Sequence, residues 1–421
     1  MPSGTDVDTV RGLLPWNVLL RLAARNVGRN RGRSALSLAA IACGVAGLIL
    51  SGGFVHDLIY QLGEAVIYSR FGHIQIAKAG YFESGTRSPG KYLISPVQAK
   101  RIQSEKVEHL ALVAQRLRFS GLVSNGRASY PILGEGVQAD KEGELGSYMV
   151  LRNGRLLSSK DKYGALVGAG VARALDLKPG SPISLVASTI GGAMNTVDLD
   201  VVGIFQTYSK DYDDRVIRVS LTTAQELLDT RGVNVLVLLL DKTQQTAIVA
   251  EHLNADVKRM GLELKTWDQL SNFYWKTVAL YDRQFGILRL IVLIMVTLAV
   301  TGAINMSVLE RTGEFGTMRA LGNKRWDVIR LVVIEAALMG VIGAVIGTIL
   351  GASLAWVISI VGIPMPPPPN SNLGYLAHIR LVPSIVGGAF LVGAVATVLA
   401  SLPAALRVSR LAVIEALRRL A

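Results

Sequence analysis

The stretch Glu310 to Gly322, E-R-T-G-E-F-G-T-M-R-A-L-G, concentrates more reactive chemistry than any other part of the chain. Glu310, Arg311, Glu314 and Arg319 set carboxylates and guanidiniums at helical spacing. They supply charge without catalysis, since no nucleophile–base pair and no ligand cluster accompanies them. Glu310 and Glu314 fall near the N-terminus of a short predicted helix and Arg319 near its C-terminus, each sign complementing the helix dipole. Phe315, Met318 and Gly322 share one face at i, i+3 and i+7, with Leu321 beside it. An apolar knob framed by charge suits a shallow groove on a partner better than it suits turnover.

Other candidates fail on detail. Gly85 to Tyr92, G-T-R-S-P-G-K-Y, has the glycine and lysine spacing of a phosphate loop. It lacks the Ser or Thr that holds magnesium and carries Pro89 inside the cradle. His56, His73, His109, His252 and His378 show no ligand spacing and read as surface or hydrogen-bonded structural histidines. Asp211, Asp213 and Asp214 read as a solvated turn rather than a calcium site. Catalytic, metal and cofactor sites are therefore not expected on this chain.

The elements that must position Glu310–Gly322 are apolar. Half of the residues are hydrophobic and 18% are charged, values outside the soluble norm. Apolar runs cover 34–59, 284–309, 328–361 and 381–404, each reaching the roughly 20 residues that cross a hydrocarbon core. L-S-G-G, Leu50 to Gly53, matches the signature loop of ABC ATPases but sits inside the first run with no Walker motif. Basic residues orient the spans. Arg11, Arg21, Arg25, Arg29, Arg31 and Arg33 precede the first, Arg311, Arg319, Lys324 and Arg325 follow the second, and Arg407, Arg410, Arg418 and Arg419 follow the fourth. Positive-inside counting puts both termini and the 310–327 loop in the cytoplasm, and residues 60–283 outside.

The net charge of +13 does not indicate nucleic acid. The three cytoplasmic pieces hold 14 Lys/Arg against 6 Asp/Glu, whereas residues 57–283 hold 27 against 24. Charge so placed orients helices and meets anionic lipid. Cys43, the one cysteine, lies within the first run and reads as a buried membrane thiol. Residues Pro15 to Val27 form an expected interfacial amphipathic helix with Trp16 as anchor.

The external segment reads as mixed α/β. Expected strands are Gly72–Ala77, Val113–Val123, Ser129–Gly136, Ile183–Ala187, Leu199–Phe205, Arg215–Ser220 and Val233–Leu240. Expected helices are Pro96–Val107, Gly168–Leu175, Thr222–Asp229 and Thr243–Arg259, grouped into two subdomains, one near 140–240 and one assembled from both flanks. Pro364–Pro369 reads as a stiff outer loop. Gly343, Gly347 and Gly351 put two small-xxx-small steps on one face of the third span, which lets another helix approach closely. Arg289, Arg330 and Glu335 fall near span ends, where snorkelling lowers their cost.

One span, a large external domain and three further spans, together with Glu310–Gly322, resemble the FtsX-like/MacB-like permeases of ABC transporters (type VII architecture). The resemblance rests on Glu310-Arg311, Glu314-Phe315-Gly316 and Arg319-Ala320-Leu321-Gly322, similar to the family's E-R-x-x-E-I-G-x-x-R-A-L-G segment. Three further runs agree: A-R-N-V-G-R-N-R-G-R-S (Ala24–Ser34), V-G-A-G-V-A-R-A-L-D-L-K-P-G (Val167–Gly180) and the tail P-A-A-L-R-V-S-R-L-A-V-I-E-A-L-R from Pro403. D-V-V-G-I-F (Asp200–Phe205) looks like the lipoprotein-releasing permeases of the LolC/LolE kind. The implied fold is an α-helical membrane protein with four transmembrane helices and a MacB periplasmic-core-like α/β domain inserted between helices 1 and 2.

The resemblance implies nine segments. They are a cytoplasmic arm (1–33), four spans (34–59, 284–309, 328–361, 381–404), an external domain (60–283), a coupling helix (310–327), a short external loop (362–380) and a cytoplasmic tail (405–421). It also implies a non-catalytic permease subunit in a bacterial inner membrane, with ATP and magnesium held by a cytoplasmic ABC ATPase dimer. Glu310, Arg311, Glu314, Phe315, Gly316, Met318, Arg319, Ala320, Leu321 and Gly322 would receive the ATPase. Further implied partners are a second permease copy or paralogue, a periplasmic carrier or adaptor, and membrane lipid, but no nucleic acid. The implied work is release of lipoproteins or other amphiphiles. The alternative is regulation of a periplasmic cell-wall hydrolase or sensor without transport.

Overall fold

The computed structural model describes residues 15–29, 31–85, 89–105, 107–367 and 374–410. Arg11, the middle of Gly85–Tyr92, the end of the proline tract and the basic tail beyond Arg410 lie outside the described residues. The chain divides into two compact units, one of Met1–Leu58, Ala279–Ile363 and Ala377–Ala421, the other of Ile59–Val278 with Pro364–Leu376.

The first unit is helical. Its elements are α1 (Trp16–Arg29), α2 (Arg31–Val66), α3 (Asn272–Glu310), α4 (Thr312–Ala320), α5 (Arg325–Val361) and α6 (Pro383–Ser409), of which α2 and α3 run on into the second unit. Among the described residues, four helices are long and apolar enough to cross a membrane: Ser34–Phe71, Asn272–Glu310, Arg325–Val361 and Pro383–Ser409. Lipid tails are as apolar as leucine, so such helices associate by close packing, which small residues permit. A Cβ on Gly343 would come within 2.9 Å of Ile41, on Gly347 within 2.7 Å of the Ala42 carbonyl oxygen, and on Gly351 within 3.0 Å of the Ala46 Cα. The glycine face of α5 thus lies directly on α2. On the other side of α5, a Cβ on Gly340 would meet Thr397 of α6 at 3.0 Å.

Helix α1 divides its apolar face. Leu19 and Ala23 are wholly buried, in one core with Phe315, Val328, Leu331 and Val332, whereas Trp16 and Leu20 are exposed. The helix is therefore packed against protein as well as presenting an apolar edge outward. The Cys43 thiol is exposed on the surface of α2 within its apolar span, outside the helical core.

The second unit is one mixed sheet with helices. Its strands are β1 (Ile74–Lys78), β2 (Leu110–Ser124), β3 (Ser129–Val137), β4 (Val150–Gly154), β5 (Gly164–Gly168), β6 (Pro182–Ser188), β7 (Met194–Gln206), β8 (Val216–Ser220), β9 (Val235–Leu240) and β10 (Leu262–Thr266). Their order is β10-β1-β9-β2-β3-β8-β5-β7-β4, with β6 paired to β2 and β7. β3 with β8 and β5 with β7 run parallel, and the other pairs are antiparallel.

Strand β9, V-L-V-L-L-L, is buried on both faces, as a central strand with an unbroken apolar run must be. Two large cores result. One gathers Leu117 through Leu228, the other joins both flanks, Ile74–Val113 and Val233–Leu262. Strand β2 passes through both and joins them into one sheet. The sequence pattern missed β4, β5 and β10. All five residues of β4 are exposed, and β5 is a three-residue apolar run closed by glycines, so neither shows the period-two alternation of a half-buried strand.

Candidate functional site

Glu310–Gly322 is a hinged connector rather than one helix. Glu310 is the last residue of α3, Arg311 sits at the joint with φ −95° and ψ 12°, and α4 begins at Thr312. The expectation that Glu310 opens the short helix is thereby corrected. Thr312 Oγ1 donates to the Leu309 carbonyl at 2.6 Å and closes the end of α3. At the other end, Asn323 N–H reaches the Met318 carbonyl (3.2 Å) and Gly322 N–H the Arg319 carbonyl (3.1 Å), a Schellman closure. It requires Gly322 at φ +98°, open to glycine without penalty. Helix α5 then starts with the Lys324 N–H on the Asp327 carboxylate at 3.0 Å.

A charged network ties this connector to two other helices. Arg311 Nη1 donates to both oxygens of Glu335 on α5, at 2.9 and 2.8 Å, and its Nε donates to Glu314 at 3.0 Å. From α1, Asn26 donates to Glu335 and Arg29 to Glu314. Burial opposes the charge of Arg311, but Glu335 and Glu314 outweigh it and push the guanidinium pKa up. Burial likewise works against the Glu314 carboxylate, and hydrogen bonds from Arg311 and Arg29 hold it below the usual range. Both groups stay ionised at neutral pH. Asn26, Arg29 and Glu335 were not among the residues singled out for this site. Glu335 had been read as a span-end residue, and its partner lies 24 positions away, where no periodicity points to it.

The apolar face differs from the expected knob. Phe315 is 2% exposed, under the Arg311 guanidinium (5.2 Å to the ring) and within the helical core, with Gly316 buried and Met318 packed against the same core. Arg319 turns to the Ser409 carbonyl of α6 at 3.5 Å. What projects is Glu314, Ala320, Leu321 and Gly322, joined by Trp326 at the start of α5; Leu321 is 80% and Trp326 64% exposed. Helical phase alone predicted the wrong aromatic. It could not tell which side of α4 meets the bundle.

The other candidate groups are structural. Asp213 is wholly buried, contrary to the expected solvated turn, and accepts from Thr207 N–H (2.9 Å) and Thr207 Oγ1 (2.7 Å). His73 is also buried: Nδ1 accepts from Leu240 N–H at 3.0 Å, and Nε2 lies 3.0 Å from Thr243 Oγ1, which itself donates to Glu64 at 2.7 Å. Among the described residues, no three His, Cys, Asp or Glu side chains converge as metal ligands.

Comparison with known proteins agrees with this architecture. The model of the FtsX-like permease C-terminal domain matches residues 285–413, and that of the MacB-like periplasmic core domain matches residues 34–255, more than half of the chain. The chain belongs to the FtsX-like permeases of ABC transporters with a MacB-like periplasmic core, and is a membrane protein with an extracytoplasmic α/β domain.

An uncharacterised ABC transporter permease of Methanocaldococcus jannaschii is 25% identical over 49% of this chain and 52% of its own length. The lipoprotein-releasing system transmembrane protein LolC of Neisseria meningitidis is 21% identical over 46% of this chain and 48% of its own. The chain thus spans about half the length of these curated relatives. The periplasmic region of MacB from Actinobacillus actinomycetemcomitans aligns over 47% of this chain and 89% of its own, at 13% identity and a TM-score of 0.35.

Proposed function

We propose that the chain is a permease subunit that passes work from a cytoplasmic ABC ATPase dimer, through α4, to its extracytoplasmic domain. The observation that carries this reading is the Asn26–Arg29–Arg311–Glu314–Glu335 network. It fastens a short helix with an exposed apolar tip to the starts and ends of three other helices. A push on Leu321 and Trp326 would therefore shift α1, α3 and α5 together instead of being absorbed by a loose loop. ATP and magnesium belong to the ATPase, and this chain is a non-catalytic subunit of a bacterial inner-membrane assembly with both termini cytoplasmic. A second copy or paralogue completes the permease pair.

A lipoprotein or other amphiphile is the cargo this reading favours. A groove of about 530 Å³ opens among α2, α3 and α6, walled by Leu48, Leu290, Leu293, Ile385 and Val392, with the Arg289 guanidinium at its edge. Apolar walls with one cation suit an acyl chain carrying an anionic head. A subunit that merely regulated a hydrolase would need no such groove. The LolC relative belongs, by its name, to a lipoprotein-releasing system.

The test is a double substitution, Leu321→Asp with Trp326→Asp, in the full chain. It should reduce co-purifying, ATP-hydrolysing partner at least tenfold while membrane insertion and thermal stability stay unchanged. Undiminished ATPase association would overturn the coupling reading. Depletion of the chain should leave an amphiphile or lipid-anchored protein accumulating in the inner membrane, whereas a cell-wall defect without accumulation would favour the regulatory alternative.

A further inference from the structure

Four arginines of the α/β unit gather around two glutamates, two of the arginines fully buried and two reaching partly into the open. Arg116 and Arg218 are buried, and Arg70 and Arg118 lie with them around Glu135 and Glu142. Glu142 takes Arg116 (2.9 Å) and Arg218 (3.1 Å), and Glu135 takes Arg118 (3.1 Å) and Arg218 (3.3 Å). Tyr212 donates to Glu135 at 2.7 Å and accepts from Arg218 at 3.0 Å. Burial pushes the Tyr212 phenol up to about 12, so it adds no negative charge. Four guanidiniums thus share two carboxylates, and Arg116 and Arg218, the fully buried pair, take most of their oxygens.

The shortfall is local to Arg70 and Arg118. Arg70 makes no ion pair among the described residues: its guanidinium stacks on Phe71 (4.6 Å) and Tyr212 (4.5 Å), and its Nε is buried without an acceptor. Arg118 uses Nε on Glu135 and Nη1 on Gln75 (3.2 Å), but its Nη2 is buried with no acceptor in hydrogen-bond geometry, the Tyr81 phenol being its polar neighbour. Both side chains line a cavity of about 160 Å³, whose other walls include Tyr81, Phe82, Phe119 and Leu133. Gly134 makes room for the Phe119 ring, since a Cβ there would lie 2.1 Å from it. A cavity on the order of 150 Å³ is large enough for a benzene-sized body.

We propose that this cavity binds a small amphiphilic carboxylate, its anionic head between Arg70 and Arg118 and its apolar body against Phe82, Phe119 and Leu133. The Glu135 oxygens that face the cavity are occupied by Arg118, Arg218 and Tyr212, so they leave the site open to an anion. Apolar walls select a ring or short chain over inorganic phosphate, and the volume admits the whole of a small acid. The site lies wholly within the α/β unit, and its occupancy can be measured without the ATPase.

The test is calorimetric titration of the full-length chain in detergent with sodium benzoate, benzamide and inorganic phosphate. Benzoate should bind saturably, with benzamide and phosphate each at least tenfold weaker. Arg70→Gln should weaken benzoate at least tenfold while the chain stays folded, since Arg70 loses only its stacking on Phe71 and Tyr212 and no protein ion pair. Leu133→Trp, which fills the cavity, should abolish binding. Absence of saturable benzoate binding, equal affinity for benzamide, or an unaltered Arg70→Gln variant would overturn the proposal.

Discussion

Glu335 receives two hydrogen bonds from Arg311 and one from Asn26, and its side chain is nine-tenths buried. Removing one member of such a buried pair leaves the other charge uncompensated, typically at about 3 kcal/mol or more. Glu335→Ala should therefore lower the melting temperature and separate ATP hydrolysis from cargo movement. Hydrolysis by the partner should persist while cargo release falls at least tenfold. Glu335→Gln keeps one accepting oxygen of similar placement and should restore part of both. Release equal to the wild type in the alanine variant would count against the network as a force path. Sequence spacing placed Arg311 and Glu314 together on the charged connector. It could not expose Glu335, because that partnership depends on how two antiparallel helices are brought together.

At the scale of elements, the glycines of α5 decide how closely it approaches α2. Gly347 has the least room, with the Ala42 carbonyl oxygen 2.7 Å and the Ala42 Cα 2.9 Å from where a Cβ would sit. Backbone atoms cannot give way as a flexible side chain would. Gly347→Leu should force α2 and α5 apart and cost about 1–3 kcal/mol, the usual range for overpacking. The measurement is thermal aggregation of the detergent-purified chain, with Gly387→Leu, where a Cβ meets nothing within 4 Å, as control. Equal melting temperatures for the two variants would argue against a closely packed α2–α5 face. The four-residue spacing of Gly343, Gly347 and Gly351 was legible as a packing stripe, but the identity of the facing helix was not. The short helix α4 shows the same limit: its phase was legible and its buried side was not.

For the whole molecule, the two units have separate cores and should respond separately to acid. In the α/β unit, Thr243 spends its hydroxyl proton on Glu64 and so accepts from His73 Nε2–H, while His73 Nδ1 accepts from the Leu240 N–H. Protonating Nδ1 would set two N–H groups against each other in a buried place. Burial accordingly lowers the His73 pKa from 6.5 to about 4. Above pH 6.5 the imidazole is neutral both folded and unfolded, and its contribution is intact. As the pH falls from 6.5 towards 4, the unfolded chain takes up the proton first, and stability drops by up to about 3 kcal/mol.

Hydrogen exchange on the full chain should show the Leu240 amide and its sheet losing protection across that window before α5 and α6 do. Simultaneous loss in both units would contradict their independence. Composition, apolar run length and the Glu310–Gly322 motif determined that this is a multi-span FtsX-like permease with an external α/β domain. Each of those properties is a sum or a pattern along the chain. Which residues face inward at α4, that Arg311 closes on Glu335, and that Arg70 and Arg118 line one cavity were decided only by tertiary structure. Those contacts join positions tens of residues apart, whose pairing depends on helix phase and strand order and leaves no local mark in the sequence.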